Sequence, residues 1–343
     1  MVNDYSQFEQ RKQDHIECAL MSDNQAVECQ AFDEIVLQHD ALPDFNFSDI
    51  DIQSTRFGQP VANPFIISSM TAGHTKAQPI NRHFMAACAL SGWAMGVGSQ
   101  RRELTDTLAA NEWRALRADY PKVSLFSNLG IAQLISTPLD KIRQLTDVLQ
   151  ADALFIHCNP LQECIQPEGT PQFRGCWDAL EHLVTHSDLP IIVKETGCGF
   201  STSTLQRLNN LGVHAVDVSG LGGTHWGRIE GVRALRDHQR AQTAVTFRNW
   251  GINTVQSIQN ARRVEPRFEI WGSGGVRHGL DAAKLLALGA TSIGFAKPLL
   301  QAALVSSEEV YAVMNTIMYE LKVAMFCTGS RVLRDLQEKI CTP

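Results

Sequence analysis

The chain has 343 residues, more than one average domain and ordinary for a barrel of eight strand–helix units with extensions. Apolar residues make up 44% and charged residues 19%, which supports a large core, and the net charge of −6 gives no sign of a nucleic-acid partner. No apolar run of about 18 residues escapes a charge or a turn signal, so no membrane span is expected.

In chain order, the polar start has neither the basic nor the apolar region of a secretory signal. The nine cysteines are odd in number and form no Cys-x-x-Cys, so reduced thiols of a cytoplasmic protein are expected rather than a disulfide frame or a zinc site. Residues 1–63 are mixed and polar; they are expected to form an N-terminal extension with a helix over 10–21. From residue 64 short apolar runs alternate with longer helical patterns. The runs lie at 65–69, 94–98, 123–127, 153–157, 191–194, 215–218, 268–272 and 292–296. Among the helical stretches are 78–90, with Ala86, Ala87 and Leu90 on one face, and 279–288, with Leu280, Ala283 and Ala287 on one face. An insertion is expected over 227–247, then helices over 253–264 and 307–326. Strand–helix alternation with nearly continuous apolar strands means parallel pairing buried on both faces. Eight units predict an α/β fold, a closed (β/α)8 TIM barrel over 64–343, with a doubly wound open sheet as the alternative.

Active sites of such barrels lie at the C-terminal strand ends. Here the ends read Ser68-Ser69-Met70-Thr71-Ala72-Gly73, Ser99-Gln100-Arg101-Arg102, Ser127-Asn128, His157 to Glu163, Lys194-Glu195, Ser219 to Thr224, Ser273-Gly274-Gly275 and Lys297. A single Ser or Asn after a strand is ordinarily a turn or cap. Eight polar ends at one mouth, rich in Ser, Thr, Asn, Gln and Gly with few cations, suit a neutral heteroaromatic ring and a phosphate. The glycine-rich turns at 272–275 and 220–224, with Lys297 nearby, suit the phosphate. Lys194 ends an aliphatic strand, either facing solvent or standing as a cation beside the electron-rich edge of a reduced flavin. His157 and Asn159 share a strand face, and Gln162 and Glu163 follow one turn later, a polar wall for a substrate. Glu163 is a candidate Mg²⁺ ligand, and Glu168 competes with it. Arg11, Lys12 and His15 form a basic cluster that, with Arg101 and Arg102, suits a second phosphate.

These strings resemble the flavin-dependent type 2 isopentenyl-diphosphate isomerases. The resemblance runs from about residue 10 to 335, through Arg11-Lys12-x-x-His15, Ser68-Ser69-Met70-Thr71, Gly98-Ser99-Gln100-Arg101, Asn128-Leu129-Gly130, Gln166-Pro167-Glu168-Gly169, Val193-Lys194-Glu195, Gly222-Gly223-Thr224 and Ser273-Gly274-Gly275. Its most specific string is His157-x-Asn159-Pro160-Leu161-Gln162-Glu163. It implies conversion of isopentenyl diphosphate to dimethylallyl diphosphate, a step of isoprenoid precursor synthesis, with reduced FMN, NADPH or NADH as reductant, Mg²⁺, and a homo-oligomer (tetramer or octamer). It implies FMN contacts at Ser68, Ser69, Met70, Thr71, Ser99, Asn128, Lys194, Ser219, Thr224, Gly274, Gly275, Ala296 and Lys297. It implies substrate contacts at Arg11, Lys12, His15, Ser99, Gln100, Arg101, His157, Asn159 and Gln162, with Gln162 catalytic and Mg²⁺ on Glu163. Four positions depart from the pattern: Ala72 for Gly, Cys158 for Leu, His225 for Ser, and Lys297 for Arg. The last keeps the charge without the bidentate fork. An FMN-dependent 2-hydroxy-acid oxidase of the same fold uses a His-Gly-Gly-Arg string, whereas this chain reads Gly222-Gly223-Thr224-His225-Trp226 there. A barrel that binds FMN or a phosphorylated ligand without turnover would not need the wall from His157 to Glu163.

Overall fold

The computed structural model describes residues 2–71 and 77–341; Ala72 and Gly73 lie outside them. A hairpin, β1 (Ser54–Arg56) and β2 (Gln59–Val61), precedes the eight barrel strands. These are β3 (Phe65–Ile67), β4 (Ala94–Gly96), β5 (Leu125–Gly130), β6 (Ala153–Cys158), β7 (Ile191–Glu195), β8 (Ala215–Asp217), β9 (Glu269–Gly272) and β10 (Ser292–Phe295). All eight pair in parallel, and β10 returns to β3, so the sheet closes. The fold is therefore the (β/α)8 barrel, and the open-sheet alternative is excluded.

The barrel interior is packed, not hollow. Ile66, Phe126, Phe155, Ile192 and Trp271 fill it together with Ala94, Ala153 and Ala215. The hairpin stoppers the end opposite the strand C-termini. Its turn places Phe57 at φ 51° and Gly58 at φ 73°, the left-handed pair that a two-residue hairpin turn requires. Phe57 then packs on Trp271 at 5.6 Å, and the Arg56 guanidinium lies over Phe126 at 5.5 Å. The larger core lies between the strands and the outer helices.

The extension begins with helix Val2–Leu20, earlier and longer than its sequence pattern suggested. It continues through four short 3-10 turns before the hairpin. The insertion folds as two helices, Trp226–Arg233 and His238–Thr246. Two face assignments need correction. Leu90 is 69% exposed and Leu280 44% exposed. Helix Gln78–Ser91 buries Ile80, Phe84, Met85, Ala87 and Cys88 instead, and Gly279–Ala287 buries Ala283 and Ala287. Spacing along a helix defines a stripe, but the neighbouring elements decide how much of it is covered. Among the described residues, no helix is long and apolar enough to cross a membrane. The nine cysteines are all free thiols.

Candidate active site

The C-terminal strand ends surround one cavity of about 460 Å³, within the range of about 300–1,000 Å³ usual for ligand clefts. Ser68, Ser69, Met70 and Thr71 reach it after β3, Ser99 and Arg101 after β4, and Asn128 from β5. His157 on β6 and Asn159, Gln162 and Glu163 just after it form the next wall. Lys194, Ser219, Thr224, Gly274, Gly275, Ala296 and Lys297 complete the ring. Arg11, Lys12 and His15 come down on it from helix Val2–Leu20. Of the FMN, substrate and Mg²⁺ contacts that the resemblance implies, the structure thus brings all but one to the cavity. The exception is Gln100, which is fully buried behind the wall. Its side-chain oxygen accepts from Ser127 Oγ and from the Asn128 N–H at 3.1 Å, so it orients Asn128 rather than reaching the cavity. Arg102 also turns away and pairs with Asp106 at 2.8 Å.

One half of the cavity suits a flat ring ending in a phosphate. Ser69 lines it, and its buried hydroxyl has no partner among the described residues. Lys194 is buried, so the solvent-facing alternative falls. Its ammonium donates to the Glu195 carbonyl at 2.9 Å and stands 3.5 Å from Asp217, a carboxylate that the sequence did not single out. Ser273 donates to the other Asp217 oxygen at 2.6 Å. The glycine turns approach backbone to backbone. A Cβ on Gly274, at φ 96°, would sit 2.2 Å from the Gly220 carbonyl. One on Gly294 would sit 2.4 Å from Ser68 Oγ. Only hydrogen fits there, which opens backbone N–H groups to an anion beside Lys297 and Arg277. The donor set therefore fits FMN.

The other half is built for charge. Parallel pairing sets His157 beside Lys194. Burial first, then Lys194 and Lys12, push the His157 pKa down to about 3, so its ring is neutral. Burial and the neighbouring Arg11 push Lys12 down to about 8. Asn159 donates to Gln162 Oε1 at 3.1 Å and to Glu163 Oε1 at 2.9 Å. Gln162 donates onward to Glu230 Oε1 at 3.0 Å. Glu230 is fully buried, and it also receives His15 Nε2 at 2.8 Å and Arg233 at 2.6 Å. Burial works to raise the Glu230 pKa, but the His15 bond and the Arg233 charge prevail and hold it below the usual carboxylate range. Burial lowers the His15 pKa, against the opposing pull of its bond to Glu230.

Glu230 and Arg233 lie in the insertion, where the sequence offered only an i, i+3 charge pair as a signal. The two rival carboxylates part company. Glu163 is buried, lines the cavity and is steadied by Thr170 N–H at 2.6 Å. Glu168 lies outside the cavity wall and is held by Arg233 at 2.9 Å. Among the described residues, no three His, Cys, Asp or Glu side chains gather as a metal cage. A single carboxylate beside cavity cations fits Mg²⁺ in the manner that needs substrate oxygens to complete its shell. His225 is fully buried, with Nδ1 accepting from Arg228 N–H at 3.2 Å and Nε2 3.1 Å from the Trp250 carbonyl, so it is no base at the cavity.

Residues 122–343 match the model of the FMN-dependent dehydrogenase family. The chain is 68% identical over 341 residues to an isopentenyl-diphosphate delta-isomerase of Legionella pneumophila, covering 99% of this chain and 100% of that one. The chain belongs to the type 2, FMN-dependent isopentenyl-diphosphate delta-isomerases. Another member of that isomerase family, from Bdellovibrio bacteriovorus, is 52% identical and covers 97% of each chain. Beyond the isomerases, a flavocytochrome b2 variant bound to benzoylformate has the same fold, with a TM-score of 0.70 at 18% identity over 94% of this chain and 79% of that one. The chain is therefore an enzyme on an FMN-binding barrel.

Proposed function

We propose that this enzyme converts isopentenyl diphosphate to dimethylallyl diphosphate by a 1,3-proton shift, using reduced FMN and Mg²⁺, with NADPH or NADH keeping the flavin reduced. The observation that carries this reading is the position of Gln162. Its amide sits in the cavity wall, one end on Asn159 and the other on Glu230, in a cavity that the glycine turns and Arg11, Lys12 and Arg101 also line.

The substrate has a charged head and a small apolar tail. Arg11, Lys12, Arg101 and Mg²⁺ on Glu163 would hold the diphosphate. His157, kept neutral, would line the substrate site without adding a cation where positive charge develops on carbon. When bound and reduced, FMN would supply the proton donor and an electron-rich ring against that charge. Ser68 to Thr71, Ser99, Asn128, Lys194, Ser219, Thr224, Gly274, Gly275, Ala296 and Lys297 would hold it. An alkene is a poor base, so alignment and exclusion of water carry much of the barrier. Gln162 would orient the reacting carbons and pass the proton, its Nε2 fixed by Glu230. The N-terminal extension, residues 1–63, would complete the substrate site as its roof. We place the enzyme in the cytoplasm as a homo-oligomer, a tetramer or octamer.

The test is anaerobic incubation with isopentenyl diphosphate, Mg²⁺, FMN and NADPH, following dimethylallyl diphosphate. Product should appear only when flavin is reduced. Absence of product with reduced flavin bound would overturn the proposal.

A further inference from the structure

We infer that Arg228 is a positioning residue: it latches the N-terminal extension over the cavity and so delivers Arg11 and Lys12 to the substrate diphosphate. The inference rests on the substrate reading proposed above. Neither Arg228 nor its partner Glu28 lines the cavity, so any effect on the reaction must pass through other residues.

The Arg228 side chain is 5% exposed, and all five of its N–H groups are used. Nη1 donates to the carbonyls of Asp23 at 3.2 Å and Gln25 at 2.6 Å. Nη2 donates to Glu28 at 2.6 Å and to Asn249 Oδ1 at 2.7 Å. Nε donates to the Arg248 carbonyl at 3.0 Å. Three of these acceptors belong to the extension and two to the segment that follows the insertion. One guanidinium thus joins chain segments about 200 residues apart, as its bond to Glu28 spans 200 positions. Backbone bonds continue the join on either side: Ala26 N–H to the Gly223 carbonyl at 2.7 Å, and His225 N–H to the Asn24 carbonyl at 2.9 Å.

The same short helix, Trp226–Arg233, grips the helix before this join. Glu230 holds His15, and Arg233 stands 3.5 Å from Asp14. Arg11 and Lys12 lie one turn earlier on that gripped helix and line the cavity. Helix Val2–Leu20 is thus moored at His15 from within and at the turn that follows it by Arg228. A lysine has three donors on a flexible stem and cannot satisfy five acceptors in a plane.

The experiment compares Arg228→Lys with the wild-type holoenzyme. We expect FMN content and kcat within about twofold of wild type, and KM for isopentenyl diphosphate and Kd for magnesium pyrophosphate each raised about tenfold. We also expect the first tryptic cut, after Arg11 or Lys12, to come about tenfold faster, since local opening sets that rate. Unchanged KM and Kd, or unchanged cleavage, would overturn the latch, as would a fall in kcat at constant KM. If Arg228→Lys does not fold, Glu28→Gln, which removes one exposed partner, should move KM and cleavage the same way by about twofold to threefold, and no movement overturns the latch. Wild-type enzyme that fails to bind magnesium pyrophosphate while its tryptic protection still depends on Arg228 would defeat the substrate reading and leave the latch standing.

Discussion

His157 donates its Nδ1 hydrogen to Asn128 Oδ1 at 2.9 Å. The direction follows from Asn128, whose Nδ2 is spent on the Val97 carbonyl at 3.0 Å and so turns its oxygen to the imidazole. His157 Nε2 is thereby left as an acceptor, on a ring whose pKa is pushed down to about 3. The stability consequence has a definite sign. Below the ordinary histidine pKa of about 6.5 the unfolded chain takes up a proton that the folded chain refuses until about 3. The contribution of His157 to stability is full above that window and declines as pH falls through it. Replacing His157 by Gln should flatten the loss of unfolding free energy between pH 7 and 5, measured by urea denaturation. An unaltered slope would contradict the neutral, buried assignment.

Lys12 gives the opposite limb. With its pKa at about 8 in the free enzyme, it loses its charge as pH rises through that value. A bound diphosphate favours the cation, so log kcat/KM should fall with a slope of about −1 above pH 8. Lys12→Arg keeps the charge at every accessible pH. The fall should then disappear from the pH profile, even where the variant is slower overall.

Glu163 and Glu168 can be separated by titrating activity against Mg²⁺. Glu163→Gln should lose most activity and raise the Mg²⁺ requirement by about tenfold or more. Glu168→Gln should leave the Mg²⁺ requirement unchanged, because that carboxylate lies outside the cavity on Arg233. A normal Mg²⁺ response in the first variant would remove Glu163 from the metal role.

Gly274→Ala meets both a positive φ and a backbone oxygen 2.2 Å from the new carbon. The turn must move, and the phosphate cradle with it. FMN affinity should weaken by about tenfold or more in equilibrium dialysis. Retained affinity would place the phosphate elsewhere.

Gln162→Ala leaves the flavin half of the cavity intact and removes the amide between Asn159 and Glu230. Turnover should fall by about 100-fold or more, with FMN content measured by absorbance close to wild type. Loss of both together would mean that Gln162 holds the cavity open rather than serving the reaction.

Much of this was legible in the sequence, because a parallel strand buried on both faces must be an apolar run wherever it occurs. All eight runs are strands. The boundaries moved where local chemistry misleads: Asn128, Leu129 and Gly130 lie beyond the apolar run at 123–127, yet they continue β5 because they pair with Phe155, Ile156 and His157. The hairpin under the barrel escaped notice since its strands are three residues long and one holds Pro60. Most of the candidate site was legible for the same reason as the fold, since closing the barrel carries every strand end to one rim.

By itself, then, the sequence determined the barrel, the rim residues and the polar wall from His157 to Glu163, all consequences of local periodicity and of parallel closure. Tertiary structure alone decided which carboxylate faces the cavity, that Gln100 and Arg102 turn away from it, and that Lys194 answers to Asp217. It alone joined His15 to Glu230 across 215 residues. Such pairs leave no periodic trace in the chain, because the burial that makes them energetically decisive exists only once distant segments have packed together.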